Sequence, residues 1–86
     1  MGKLINIGFG NMVNTDRILA VINPDSAPAK RIVQKSKEQD VLIDATQGRK
    51  TKSIIITDTE RVILSALLSE TIAGRIQNPS IIAEEK

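Results

Sequence analysis

Residues 42–57, LIDATQGRKTKSIIIT, contain two runs of strand-forming residues separated by a polar segment around Gly48. Glycine tolerates the positive φ angle that tight turns need. The pattern predicts a β-hairpin with Arg49, Lys50 and Lys52 at its tip and isoleucines at its base. A hairpin rooted in the core would hold these cations at a fixed geometry, which is what binding to a polyanion requires.

The length and composition predict one small α+β domain that associates with copies of itself. A chain of 86 residues has no room for a second domain, and a domain of this size buries only about 60% of the surface that its unfolded chain exposes. The sequence has one Phe, no Trp and no Tyr, yet 41% of its residues are hydrophobic. The core must therefore be aliphatic, and self-association would bury apolar surface that one domain cannot hide.

The residue types exclude several classes of function. The absence of Cys and His removes disulfides, thiolate chemistry, the usual zinc sites and histidine acid–base catalysis. No nucleophile–base pair or carboxylate pair stands at a sensible spacing, so we expect neither an enzyme nor a cofactor. No apolar run reaches the roughly 20 residues of a membrane span, and no signal peptide opens the chain. These features predict a cytoplasmic protein without a membrane partner.

Positive charge is concentrated in one part of the chain. The net charge is only +2, but residues 30–52 carry seven basic and three acidic side chains, whereas the rest carries five basic and seven acidic ones. The basic residues of this segment are Lys30, Arg31, Lys35, Lys37, Arg49, Lys50 and Lys52. Such asymmetry favours a nucleic acid or another anionic partner, although a solvated helix face with a charged loop would give the same pattern.

Hydrophobic periodicity predicts the element order ββαβββα. The predicted strands and helices occupy, in chain order, residues 3–9, 17–22, 27–39 (helix), 41–46, 49–57, 61–67 and 69–78 (helix). The domain is expected to cover residues 1–79, with a loosely held tail at 80–86.

The first helix has the clearest boundary signals. Ser26 can serve as its N-cap, and Pro28 fits its first turn, where a missing N–H costs nothing. A narrow stripe that should face the core follows at helical spacing: Ala29, Ile32, Val33 and Ser36. The residues outside this stripe form a basic face, which is either an ordinary solvated surface or a supplement to a DNA-binding site: Lys30, Arg31, Gln34, Lys35 and Lys37.

The second helix is predicted to be short. Ser69 can cap it, and Asn78-Pro79 should end it. Its apolar stripe is expected to consist of Leu68, Ile72 and Ile76.

Two charged residues call for partners. Arg17 stands where the second strand begins, and its guanidinium could form a salt bridge with Asp16 or another acid, or contact a phosphate. Asp44 lies in an otherwise apolar strand, where an unpaired carboxylate would be costly. Arg17 or Arg49 is the expected partner of Asp44.

The segment GFGN at residues 8–11 predicts a turn with unusual backbone angles around the sole aromatic residue. A phosphate-binding loop is the alternative, but Val13 stands where a dinucleotide fingerprint has Gly, and no helix clearly follows. Phe9 is therefore expected to fill the core.

Taken together, the segments INIGFGN, SAP and LIDAT-x-GR resemble the bacterial extracellular matrix regulatory protein RemA family. The resemblance extends from Leu4 to about Ile76. It implies a DNA-binding transcriptional regulator of matrix (biofilm) and osmoprotection genes, associated with the nucleoid. It further implies a subunit related to LytTR-type DNA-binding domains, assembled into a homo-oligomeric ring, with eight subunits as one candidate size, that bends or wraps double-stranded DNA.

The resemblance also implies site residues. The DNA-binding arginines of the family fall on Arg17, Arg49 and Lys50, and Pro28 is the proline of its SAP motif. The family usually reads GRRTR where this chain has GRKTK at residues 48–52. Lysine keeps the charge but loses bidentate geometry, so phosphate contacts are expected and base-specific contacts at Lys50 and Lys52 are in doubt. The family usually has Gln-Pro where this chain has Leu-Ser at residues 68–69, which affects entry into the helix.

A second class of function stays open at this point. An oligomeric adaptor could use the same basic surface to bind a protein or an anionic metabolite. The scarcity of aromatic residues argues against stacking on single-stranded nucleic acid, and no other small-molecule ligand is indicated.

Overall fold

Two helices and two β-sheets form the part of the chain that the structure, a computed structural model, describes, namely residues 2–77. The elements are β1 (Leu4–Asn6), β2 (Met12–Asn14), a 3₁₀ turn (Thr15–Arg17), β3 (Ile18–Ile22), α1 (Ala27–Glu38), β4 (Leu42–Asp44), β5 (Ser53–Thr57), β6 (Val62–Ser65) and α2 (Ser69–Gln77). The α+β class is therefore confirmed, while the element order differs from the prediction by one strand.

The additional strand, β2, lies between the strands that were predicted over residues 3–9 and 17–22, and the first of these ends earlier than predicted, at Asn6. Gly8 and Gly10 adopt positive φ angles of 116° and 80°, so the chain reverses and β2 pairs antiparallel with β1. Leu4 lies opposite Asn14 in this pair. The sequence pattern showed the glycine turn, but three residues on its far side were too few to signal a strand.

The predicted hairpin over residues 42–57 is wrong. The second sheet has the order β3-β5-β6-β4, so β6 lies between the two strands that were expected to pair. β4 runs parallel to β6, whereas β5 pairs antiparallel with both β3 and β6. The tight turn between Thr57 and Arg61, closed by a 3.1 Å backbone hydrogen bond, joins β5 to β6. The longer segment 45–52 crosses past the end of β6 instead of forming a tight turn.

Both faces of the four-stranded sheet are covered, and β5 is buried on each. Ile55 and Ile63 face a cluster to which β1, β2 and α2 contribute Ile5, Val13 and Ile72. Ile54 and Val62 face α1 through Ala29. A strand buried on both sides needs apolar residues at successive positions rather than at alternate ones. This requirement explains the run of three isoleucines in SIIIT.

Helix α1 matches its prediction in detail. The Ser26 hydroxyl accepts a hydrogen bond of 3.2 Å from the Ala29 N–H, as an N-cap does. Ala29 and Ser36 are buried, and the Ser36 hydroxyl donates to the Ile32 carbonyl at 2.7 Å. Gln39 is the C-cap, as expected.

Ser69 is the first residue of helix α2 rather than the predicted N-cap before it, since the Leu68 carbonyl accepts from the Ile72 N–H at 3.1 Å. Ile72 is fully buried. Ile76 packs against the same cluster. Leu68 does not belong to the stripe, because its side chain is 54% exposed just before the helix. The predicted helix end at Asn78-Pro79, the domain boundary at residue 79 and the tail at 80–86 lie outside the described residues. Neither described helix has the length and apolar character that crossing a bilayer demands.

Candidate nucleic-acid interface

The segment between β4 and β5 carries three of the predicted site residues: Arg49, Lys50 and Lys52. We refer to residues 46–52 as the cationic loop. On one side of it, the Ala45 N–H donates to the Leu64 carbonyl at 2.9 Å; at its other end, the Lys52 N–H donates to the Ser65 carbonyl at 2.8 Å. These acceptors are consecutive residues of β6, so one strand holds both ends of the loop.

Asp44 and Thr46 fix the entrance of the loop. One Asp44 carboxylate oxygen accepts hydrogen bonds from the Thr46 hydroxyl at 2.6 Å and the Thr46 N–H at 2.9 Å. These two bonds lower the pKa of Asp44, because both stabilise the charged carboxylate. The expected ion pair with Arg17 or Arg49 is not formed. Asp44 is exposed rather than buried, and therefore does not need a cationic partner.

Phe9 projects from a turn at residues 8–10, here called the glycine turn. Phe9 itself has a φ angle of 55°, between two glycines that also have positive φ. The Asn11 N–H and side-chain amide each donate to the Gly8 carbonyl at 3.0 Å. The prediction that Phe9 fills the core is wrong: the turn directs it outward, and its side chain is 49% exposed.

An open groove of about 450 Å³ lies between the glycine turn and the cationic loop. Its lining residues are Gly8, Phe9, Arg49, Lys50, Lys52, Ala66 and Leu67. The guanidinium carbon of Arg49 lies 5.7 Å from the centroid of the Phe9 ring. Within residues 2–77, no carboxylate forms an ion pair with Arg49, Lys50 or Lys52. The groove thus combines an apolar lining with three cations free to bind an anion.

Two smaller grooves also have residues of the cationic loop in their lining. One, of about 220 Å³, lies between residues 50–52 and residues 23–25 and also contacts Leu68. The other, of about 330 Å³, runs between the sheet and α1 and is lined in part by Lys30 and Lys37. Lys30, a predicted site residue, therefore lies close to the loop.

The sequence reasoning missed Phe9 as a residue of this surface, and it included Arg31, which lies apart from the grooves. Lys37, which belongs to the predicted basic face of α1, lines the same groove as Lys30. Phe9 could have been recognised from the glycines on both sides of it. Arg31 is exposed on α1 and lines none of the three grooves described. Pro28, in the first turn of α1, is also exposed.

Arg17 lies at the opposite end of the sheet. Its guanidinium forms a 3.2 Å salt bridge with Asp58, and its carbonyl accepts from the Asp58 N–H at 2.9 Å. In the antiparallel register Ile18 pairs with Thr57, whereas Lys52 precedes the other end of β5. At about 3.4 Å per residue, the backbones of Arg17 and Lys52 are roughly 15–20 Å apart. Arg17 was expected to cluster with Arg49 and Lys50 around the strand ends nearest the predicted hairpin, and within one subunit this expectation is wrong.

The donor set does not suggest a metal centre. Among residues 2–77, no group of three or more Asp, Glu, His or Cys side chains could hold an ion.

Comparison of the sequence with known proteins places this chain in a class of regulatory proteins. The family model described as extracellular matrix regulatory protein A-like (RemA-like) matches residues 4–76. A relative from Caldicellulosiruptor saccharolyticus is 55% identical over 83 residues, covering 96% of this chain and 82% of the relative. One from Brevibacillus brevis is 55% identical over 74 residues, which is 86% of each chain. One from Geobacillus thermodenitrificans is 51% identical over 85 residues, covering 99% of this chain and 98% of the relative.

The chain therefore belongs to the RemA-like family of extracellular matrix regulatory proteins. The names of the three relatives mark them as candidate regulatory proteins. Family and names point to regulation rather than to catalysis.

Proposed function

We propose that this protein is a DNA-binding transcriptional regulator of matrix, biofilm and osmoprotection genes. In this proposal its subunit is related to LytTR-type domains, and copies form a ring that bends or wraps duplex DNA in the nucleoid. Family membership supports the regulatory role. The physical argument for DNA as the ligand comes from the cationic loop.

The observation that carries the proposal is the anchored loop with its unpaired cations. Two hydrogen bonds to β6 hold the backbone of the loop, so binding requires little further ordering of that backbone. Phosphate oxygens are strong acceptors for Arg and Lys, and most protein–DNA hydrogen bonds go to the DNA backbone. Lys30 and Lys37 extend the positive surface along α1.

Exposed apolar side chains support self-association. Leu19 on β3 is 69% exposed and Ile43 on β4 is 45% exposed, and these strands form the two edges of the four-stranded sheet. A closed ring needs two different, complementary surfaces on each subunit, because its contacts run head to tail. Apolar residues on opposite edges of one sheet would give each subunit two different surfaces for such contacts.

Repetition of the cationic surface would supply the affinity that one subunit lacks. A few phosphate contacts give a dissociation constant of about 10⁻⁴–10⁻⁶ M at physiological salt. Linked copies of such a patch act at high effective concentration and add about 10²–10⁴-fold. A curved array would also favour flexible or bent DNA over stiff sequences.

Fluorescence anisotropy with a series of duplex lengths at two salt concentrations tests the proposal. Affinity should rise with length until the DNA spans several subunits, and it should fall by about 0.9 log unit per log unit of salt for each phosphate neutralised. Equal affinity for a short and a long duplex would exclude the repeated-patch model. Salt-insensitive binding would exclude phosphate recognition, and a failure to bind duplex DNA would favour an adaptor for a protein or an anionic metabolite.

A further inference from the structure

The contact between the Phe9 ring and the Arg49 guanidinium joins the two walls of the 450 Å³ groove, which lies between the glycine turn and the cationic loop. At 5.7 Å from the ring centroid, the guanidinium carbon lies within the roughly 6 Å over which a cation is attracted to an aromatic face. The partners come from the glycine turn and the cationic loop, which are distant in sequence. The chain has only one aromatic residue, and it lies against the only arginine of the cationic loop.

Phe9 occupies this position although both its backbone angle and its exposure to solvent are energetically unfavourable. A φ angle of 55° is uncommon for a residue with a bulky side chain, and an aromatic residue that is 49% exposed forgoes part of the stabilisation that burial would give. Alternation from Ile5 and Ile7, which are both buried, would have put residue 9 in the core. Strained residues at exposed positions tend to occur where a function requires them.

Arg49 is left able to bind a ligand. Its side chain makes no hydrogen bond or ion pair with another residue of the range 2–77. A contact through the face of an aromatic ring uses none of the five N–H donors of a guanidinium. The ring can therefore restrict the side chain while its donors stay available for a phosphate.

We propose that Phe9 is a positioning residue that holds the Arg49 guanidinium over the groove for bidentate contact with a DNA phosphate. The proposal rests on the DNA-binding function proposed above. Arginine is required at position 49, because a planar guanidinium both stacks on a ring and matches the phosphate oxygens, whereas an ammonium group does not. Restricting a long side chain before binding lowers the entropy lost on association.

A double-mutant cycle on duplex affinity tests this role. Phe9→Leu keeps an apolar side chain with the same backbone requirement but removes the aromatic face, and it should weaken binding about two- to fivefold for each engaged subunit. Phe9→Tyr keeps the face and should bind like the unmodified protein. In an Arg49→Ala background, Phe9→Leu should cause no further loss.

The salt dependence separates positioning from direct contact. Phe9→Leu should leave the slope of log affinity against log salt unchanged, because the number of neutralised phosphates is the same, whereas Arg49→Ala should reduce it by about 0.9 per engaged subunit. A loss on Phe9→Leu that persists without Arg49 would show that Phe9 touches DNA itself and would overturn the proposal.

The outcomes also separate this proposal from the one on which it rests. Unchanged affinity in Arg49→Ala would refute the assigned DNA contact itself. Weakened binding in Arg49→Ala with full affinity in Phe9→Leu would refute only the positioning role. If Phe9→Leu does not fold, the contact can be tested in the unmodified protein by NMR of the Arg49 side-chain protons. The Phe9 ring should shift these resonances upfield, and the absence of such a shift would refute the contact.

Discussion

Arg49 is the single side chain whose removal most directly tests the cationic loop. Arg49→Ala should weaken binding to all duplex sequences by roughly tenfold for each engaged subunit, because a charge-assisted phosphate contact is lost. The side chain forms no ion pair within residues 2–77, and only its exposed contact with the Phe9 ring is lost, so the melting temperature should change little. Lys35→Ala, which removes an exposed cation of α1 outside the three grooves, is the matched control and should bind normally.

Thr46→Val tests the entrance of the loop. The variant keeps the β-branched shape of a buried side chain but loses the hydroxyl that donates to Asp44 at 2.6 Å, so the pKa of Asp44 should rise towards its ordinary value. A depressed folded-state pKa gives stability that is complete above about pH 4 and is lost as the pH falls through the folded-state pKa. The unfolding free energy should therefore drop by about 1 kcal/mol at pH 7 and by less at pH 2.

Urea unfolding at the two pH values, with NMR titration of the Asp44 carboxyl group, measures this effect. An equal loss at both pH values would mean that the cost arises from packing of Thr46 and not from its bond to the carboxylate.

Single residues also show where sequence reasoning reaches its limit. The positive φ angles of Gly8 and Gly10 were expected from their residue type, but the resulting reversal moved Phe9 out of the core. Asp44 was expected to be buried because its neighbours are apolar, whereas it lies at the end of β4, where the carboxylate is solvated and bonded to Thr46. In both cases the local composition was informative, but the direction in which the side chain points could not be predicted from it.

At the scale of elements, the N-cap of α1 offers a stability test. Ser26→Ala removes the acceptor of the Ala29 N–H and should lower the unfolding free energy by about 1 kcal/mol. Ser26→Thr keeps a capping hydroxyl and should lose much less. Thermal unfolding followed by circular dichroism compares the two variants, and an alanine variant as stable as the threonine one would show that the cap contributes nothing.

Element positions were predictable where local signals exist, and strand order was not. The bounds of α1 followed from its cap, its proline and its apolar stripe, all of which are properties of neighbouring residues. The insertion of β6 between β4 and β5 depends on which strands bury each other, which no short segment encodes. The isoleucines of β5 offered one indication, because successive apolar residues are typical of a strand covered on both faces.

At the scale of the whole molecule, self-association is the prediction with the widest consequences. Light scattering at micromolar concentration should give a mass several times the 9.4 kDa of one subunit. Leu19→Lys, which places a charge on the exposed edge strand β3, should reduce that mass and weaken binding to long duplexes more than to short ones. A monomeric unmodified protein would refute the ring. It would also weaken the proposed DNA binding, because one subunit presents too few cations for tight binding.

The distribution of the cations could be predicted only in part. Sequence clustering correctly brought Arg49, Lys50 and Lys52 into one loop, because they are neighbours in the chain. Arg17 was grouped with them by the resemblance and by its place at the start of a strand, but the register of β3 with β5 separates it from them by the length of a strand. Any DNA footprint that includes both regions must therefore cover a wider area than one groove.

Because two hydrogen bonds to β6 hold the ends of the cationic loop, the loop should open only when the sheet opens. The amide protons of Ala45 and Lys52 are bonded to carbonyls of β6, which has a neighbouring strand on either side. Such protons exchange with deuterium in the solvent only when the sheet opens, and their rates should match those of the slowest amides in the protein. On heating, DNA binding should therefore persist up to the unfolding transition and end with it.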